Sequence, residues 1–163
     1  EVIFLMIRRP PRSTRKESSA ASDVYKRQIL AMMGNNNINI VESDQKKCTF
    51  IREVAMLSET NIKIYNCRIE DLSFLKPNLI MARALAPLNK LIKYVENYME
   101  KRPYNLNEFP NLLFLKGKSY KNELLEISKT RNLDYKIYQS ITDELGKIVY
   151  ISKVNVLSIT DEK

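Results

Sequence analysis

The sequence predicts an α/β fold: a mostly parallel sheet with helices between its strands, closed by an antiparallel hairpin at its C-terminal end. Three observations predict it. Residues Ile38–Val54, INIVESDQKKCTFIREV, run from the β-branched Ile38, Ile40 and Val41 through Glu42 into a helical pattern that buries Phe50, Ile51 and Val54. Leu79–Ala82, LIMA, is wholly apolar, as a strand covered on both faces of a parallel sheet must be. Tyr135–Ile141 and Lys147–Val154 alternate apolar and polar residues on either side of a turn at Thr142–Gly146, the pattern of a hairpin.

The remaining elements follow in order. Val2–Ile7 is an apolar run able to form a strand, Arg8–Ser13 a loop, and Thr14–Met33 a helix whose last turns, ILAMM, end on Gly34. Asn35–Asn37 is a turn. The helix after Glu42 starts at Ser43 or Asp44, and Asn61–Asn66 alternates as a further strand. Arg68–Leu72 starts a short turn or helix. Leu88, Leu91, Ile92, Val95 and Met99 line one face of a helix over Leu88–Met99. Tyr104–Pro110 is an irregular linker, and Leu112–Leu115 is a strand ending in Lys116-Gly117-Lys118. Ser119–Thr130 reads as a helix that turns Leu124, Ile127 and the stem of Lys121 inward.

At 163 residues the chain has the length of one domain with a sizeable core, and 44% hydrophobic with 28% charged residues is an ordinary globular composition. No apolar run approaches the roughly 20 residues of a membrane span, and Val2–Ile7 is short even for a signal-peptide core. The expectation is a cytoplasmic protein with no membrane partner. Two cysteines, Cys48 and Cys67, and no histidine leave no four-ligand zinc site without carboxylates, so no metal is expected and both thiols are expected reduced.

The net charge of +8 points to a polyanionic partner, but it is unevenly spread. Residues 1–28 hold seven bases against three acids, half of the excess in about a sixth of the chain. They favour Arg, Ser and Ala, whereas the rest favours Asn, Ile, Lys and Tyr. The string LMIRRPPRSTRKESSAASDVYKRQ resembles a translated sequencing adapter. The other reading is a basic arm that binds nucleic acid. The expected organisation is therefore a foreign segment at 1–28, a domain at 29–156 and a tail at 157–163.

Three candidate site positions fall at strand ends, where ligands bind in open parallel sheets. Glu42 is placed to accept the hydroxyls of a ribose, or it merely marks where a strand re-enters water. Glu70, beside Ile69, is a ligand contact or a carboxylate favoured by a helix start. Arg83 follows four apolar residues, where an unpaired guanidinium is costly, and this favours a functional role.

INIVESDQKKCTFIREVA, CRIEDL, LIMARALAPLNKLI and LLFLKGK, in this order and at these separations, resemble the small-subunit ribosomal RNA guanine-N7 methyltransferases, the glucose-inhibited division protein B family, from about Ile29 to Val154. The resemblance implies a class I (Rossmann-like) methyltransferase fold, S-adenosylmethionine as methyl donor and a guanine of 16S rRNA in the small ribosomal subunit as acceptor. By position, Glu42 resembles the acid near the donor's ribose, Ile69 and Glu70 the residues flanking its adenine, and Arg83 the binding-site arginine after the fourth strand. Lys116 and Lys118, with Lys46 and Lys47, are the cations assigned to RNA phosphate. Guanine N7 offers a lone pair and no proton, so transfer requires positioning and desolvation but no general base, and no catalytic side chain is expected. Oligomeric state is left open, with a monomer as the default.

The chain also departs from the family. The family's N-terminal helices, native first strand and glycine-rich loop are missing: no glycine precedes Gly34, and Arg9-Pro10-Pro11-Arg12 cannot supply the close backbone approach that glycine allows. Residues 29–156 thus read as an N-terminally truncated methyltransferase domain with impaired donor binding. Three rivals stand beside this reading. A nicotinamide-dependent oxidoreductase would need a G-x-G-x-x-G turn, which is absent. A noncatalytic RNA-binding or inactive fragment would use Lys46, Lys47, Lys116, Lys118 and Lys121. A misfolded chain would expose the apolar edge left by a missing strand.

Overall fold

The computed structural model describes residues 2–6, 38–72, 75–83, 86–101, 109–141 and 143–156, the first of these segments as backbone alone. The chain divides into two compact units, Glu1–Met81 and Ala82–Lys163. The division falls within a strand; the boundary expected between residues 28 and 29 lies outside the described residues, as do the helix expected at Thr14–Met33, the turn at 35–37 and the tail at 157–163.

The first unit holds β1 (Val2–Met6), β2 (Ile38–Glu42), α1 (Gln45–Leu57), β3 (Ile62–Tyr65), a 3-10 turn at Ile69–Asp71 and the start of β4 (Leu79–Arg83). Its strands lie in the order β3-β2-β1, and both pairings are parallel, as expected. Val2 pairs with Ile38 and Met6 with Glu42, so the place beside β2 is filled by Val2–Met6, within the segment expected to be foreign. The edge predicted for a chain lacking its native first strand is covered along β2. All five residues of β2 are buried, which is why its apolar positions need not alternate strictly.

Asp44, one of the two expected starts, is the N-cap of α1: its carboxylate accepts the N–H groups of Lys46 at 2.9 Å and Lys47 at 3.4 Å. The buried stripe differs from the predicted one. Cys48, Ile51 and Ala55 face the sheet, Val54 is half-buried, and Phe50 is 38% exposed. Ile38, Ile40 and Ile51 form the core here, with Ile62, Ile64 and Met81 against it. The helix ends in a Schellman turn, Glu59 N–H to Met56 O and Thr60 N–H to Ala55 O, which forces Glu59 to a φ of 51°.

The second unit holds α2 (Leu88–Glu100), β5 (Asn111–Lys116), α3 (Tyr120–Ser128), β6 (Arg131–Gln139) and β7 (Lys147–Val156). Its strands run β5-β7-β6 with both pairings antiparallel, so the predicted hairpin is present and longer than predicted. α3 is correspondingly shorter, and Lys121 is exposed rather than turned inward. Leu88, Leu91, Ile92 and Val95 are buried on α2 as predicted, with Tyr98 taking the place expected for Met99. They join Leu112, Phe114, Ile127, Val149 and Ile151 among the buried residues of this unit. Gly146 closes the hairpin: a Cβ there would lie 2.9 Å from that of Ser140.

Candidate functional site

Parallel pairing aligns the carboxyl ends of β1, β2 and β3, and Glu42 sits at the middle of that edge. A lone carboxylate out of water is unstable unless its charge is answered. Glu42 is fully buried, and among the described residues the Asp44 N–H donates to Oε1 at 2.8 Å and the Lys47 ammonium lies 3.8 Å from Oε2. Both come from the entry to α1, so the helix start and the acid are one structure. The bland reading, in which Glu42 marks the return of the strand to water, does not describe this geometry.

The main-chain oxygen of Glu42 is held as well. Asn66, just past β3, donates its side-chain amide at 3.0 Å, and the Cys48 thiol donates at 3.3 Å. Sequence reasoning assigned neither residue. The available signal was position: Asn66 follows the strand paired with β2, and Cys48 lies one helical turn inside α1. Burial, with the carboxylate of Glu42 adding to it, pushes the Cys48 thiol above its ordinary pKa, so Cys48 is a neutral donor here. Cys67 is raised too, by burial and then by Asp71.

Ile69 and Glu70 follow Asn66 by three and four residues in the same unit, Ile69 buried and Glu70 half-buried in the 3-10 turn. Lys46 is exposed, while Lys47 leans on Glu42 and is partly committed there.

The other expected site residues belong to the second unit. Arg83 ends β4 and is half-buried. Lys118 is exposed. Lys116 corrects its assignment as an RNA contact: it is buried, its Nζ donates to Ala86 O at 2.7 Å and lies 2.6 Å from Glu123 Oε2. The same Glu123 oxygen accepts the Leu88 N–H at 2.8 Å, and Ser119 donates to Oε1 at 2.8 Å. Pro87 stands at the N-cap of α2 with no side chain to cap it, so Glu123 supplies that function from another helix. Lys116 thereby ties the stretch after β4 to the end of β5 and the start of α3.

The family model for rRNA small subunit methyltransferase G, GidB, matches residues 29–149. Curated relatives named ribosomal RNA small subunit methyltransferase G include those of Paramagnetospirillum magneticum, 36% identical over 78% of this chain and 58% of the relative, and Gluconobacter oxydans, 39% identical over 76% and 61%. The chain thus spans about three fifths of the length of these relatives. A solved SAM-dependent methyltransferase from Aquifex aeolicus superposes with a TM-score of 0.56 at 11% identity, covering 92% of this chain and 80% of that one. At that identity the likeness shows the fold, which is the class I methyltransferase fold. The family-model match across residues 29–149, together with relatives more than 30% identical over three quarters of the chain, decides it: the chain belongs to the GidB family of rRNA small subunit methyltransferases.

Proposed function

We propose that this chain carries the catalytic domain of an S-adenosylmethionine-dependent methyltransferase acting on guanine N7 of 16S rRNA in the small ribosomal subunit of the cytoplasm. The observation that carries the proposal is the buried Glu42 at the carboxyl end of β2, held by the Asp44 N–H and beside the Lys47 ammonium, inside the segment 29–149 that matches the family. Among the described residues, no helix is long and apolar enough to cross a membrane.

The residues fit the donor on one side and not on the other. On the β2 and β3 side of the first unit, Glu42 would take the ribose hydroxyls, with Ile69 and Glu70 beside the adenine; for Arg83, in the second unit, a donor contact rests on the family resemblance alone. On the β1 side, no glycine occurs between Met6 and Gly34, so the close main-chain approach expected around the methionine portion has no residue to make it. The donor supplies the methyl group. This chain's part is to orient the acceptor and exclude water, since N7 presents a lone pair and no proton.

That missing glycine favours a second reading, an RNA-binding chain without transfer. Titration with S-adenosylmethionine, followed by calorimetry and by the ligand-induced rise in Tm, separates the two. Saturable binding by the 163-residue chain supports the transferase reading for this chain. Failure to bind, reversed when a glycine-rich family segment replaces residues 1–28, supports the assignment for the domain and the second reading for the chain. Failure in both proteins refutes the donor site. In the glycine-restored protein, Arg83→Ala weakens the donor about tenfold or more, the loss expected for a charged hydrogen-bond partner.

A further inference from the structure

Between α3 and β6 the second unit carries a groove of about 540 Å³ that the donor site does not use. Its walls are aromatic and aliphatic: Tyr120 and Leu125 from α3, Tyr135 and Ile137 from β6. β6 ends the strand order β5-β7-β6, so the groove borders an outer strand, and an irregularity in pairing between Asp134 and Tyr135 stands directly before its tyrosine. Tyr135 is 42% exposed and Leu125 66%, a large apolar surface to leave in water.

The charge around the groove is one-sided. The acids of α3 are already matched, Glu123 by Lys116 and Glu126 by Lys129, and Asp134 on β6 stands opposite Lys153 on β7. Arg131, which also lines the groove, is held by Glu96 through two 2.6 Å hydrogen bonds. Lys118 and Lys121, both exposed, are in no ion pair among the described residues. Lys121 lines the groove at the start of α3, where its stem can lie on the apolar wall with the ammonium in water.

The exposed Tyr135 and the half-buried Tyr120, beside lysines in no ion pair among the described residues, complement a polymer of flat bases joined by phosphates. We propose that this groove docks single-stranded RNA, a base stacking on Tyr135 and Tyr120 while Lys121 and Lys118 meet the backbone. The inference rests on the RNA half of the function proposed above and names a second contact surface for that substrate, separate from Glu42. Sequence tolerance follows, since every base offers a stacking face.

The test is fluorescence anisotropy of a labelled single-stranded RNA of about twelve nucleotides with the full chain, at several salt concentrations. Tyr135→Ala weakens binding about 5- to 100-fold, the range for loss of one stacked base, and Tyr135→Phe restores it. Lys121→Ala lowers the slope of log affinity against log salt by about 0.7. Lys63→Ala, an exposed lysine on β3, leaves affinity unchanged. Wild-type affinity in Tyr135→Ala overturns this inference alone. An intact affinity combined with a changed sedimentation coefficient assigns the groove to a second copy of the chain and overturns it as well. No binding by the wild-type chain refutes both this inference and the RNA half of the functional reading.

Discussion

The side-chain amide of Asn66 donates to the main-chain oxygen of Glu42 across 3.0 Å, joining residues 24 apart at the edge where β2 and β3 end. The bond fixes the strand exit on which the buried carboxylate depends. Asn66→Ala lowers stability by about 1 kcal/mol in urea unfolding, the net value of one such bond. Asn66→Asp costs more, because a carboxylate then faces a carbonyl oxygen. Equal stability of wild type and Asn66→Asp would remove this contact from the account of the site.

Lys116 is buried and Glu123 half-buried, and breaking their ion pair leaves one charge without its counter-charge. Lys116→Met costs about 3–5 kcal/mol by the same measurement. The double variant Lys116→Met/Glu123→Leu costs less than the sum of the single changes, because neither charge is stranded. Additive losses would mean that the two side chains act independently.

Cys48 gives a pH signature. Its pKa is raised in the folded protein, so the native state holds a proton that the unfolded chain releases at the ordinary thiol value of about 8.5. Its contribution is fully present below that value and is lost as pH rises toward the folded pKa. Unfolding midpoints are therefore flat in this respect at neutral pH and fall on the alkaline side. Cys48→Ala flattens that fall, and a slope unchanged in the variant assigns it to other groups.

Glu59 occupies a left-handed conformation that glycine adopts without strain. Glu59→Gly raises stability by about 1 kcal/mol, read as a higher Tm, since the relief of left-handed strain exceeds the added chain entropy. A loss of stability would show that the Glu59 side chain makes a compensating contact.

The order and type of the elements were legible because periodicity is a local signal. Ile38–Glu42 and Leu88–Val95 carried their own pattern, and Asp44 announced the start of α1 by its chemistry. What was not legible depended on partners far along the chain. Phe50 outranks Cys48 and Ala55 on hydrophobicity, yet the smaller pair faces the sheet, where a flat helix face packs closely. Lys116 reads as a surface cation until Glu123 and the Ala86 carbonyl are known to meet it. The end of α3 and the start of β6 also traded residues: Thr130 lies beyond the helix, and Arg131 opens the strand with its guanidinium on Glu96.

Glu123 closes the first turn of α2 from 35 residues downstream. α2 has no side-chain cap of its own at Pro87, so its first turn is held from another helix. The first turn of α2 therefore draws its stability from the presence of α3. In native-state hydrogen exchange, the amide of Leu88 should open together with α3 rather than with the remainder of its own helix.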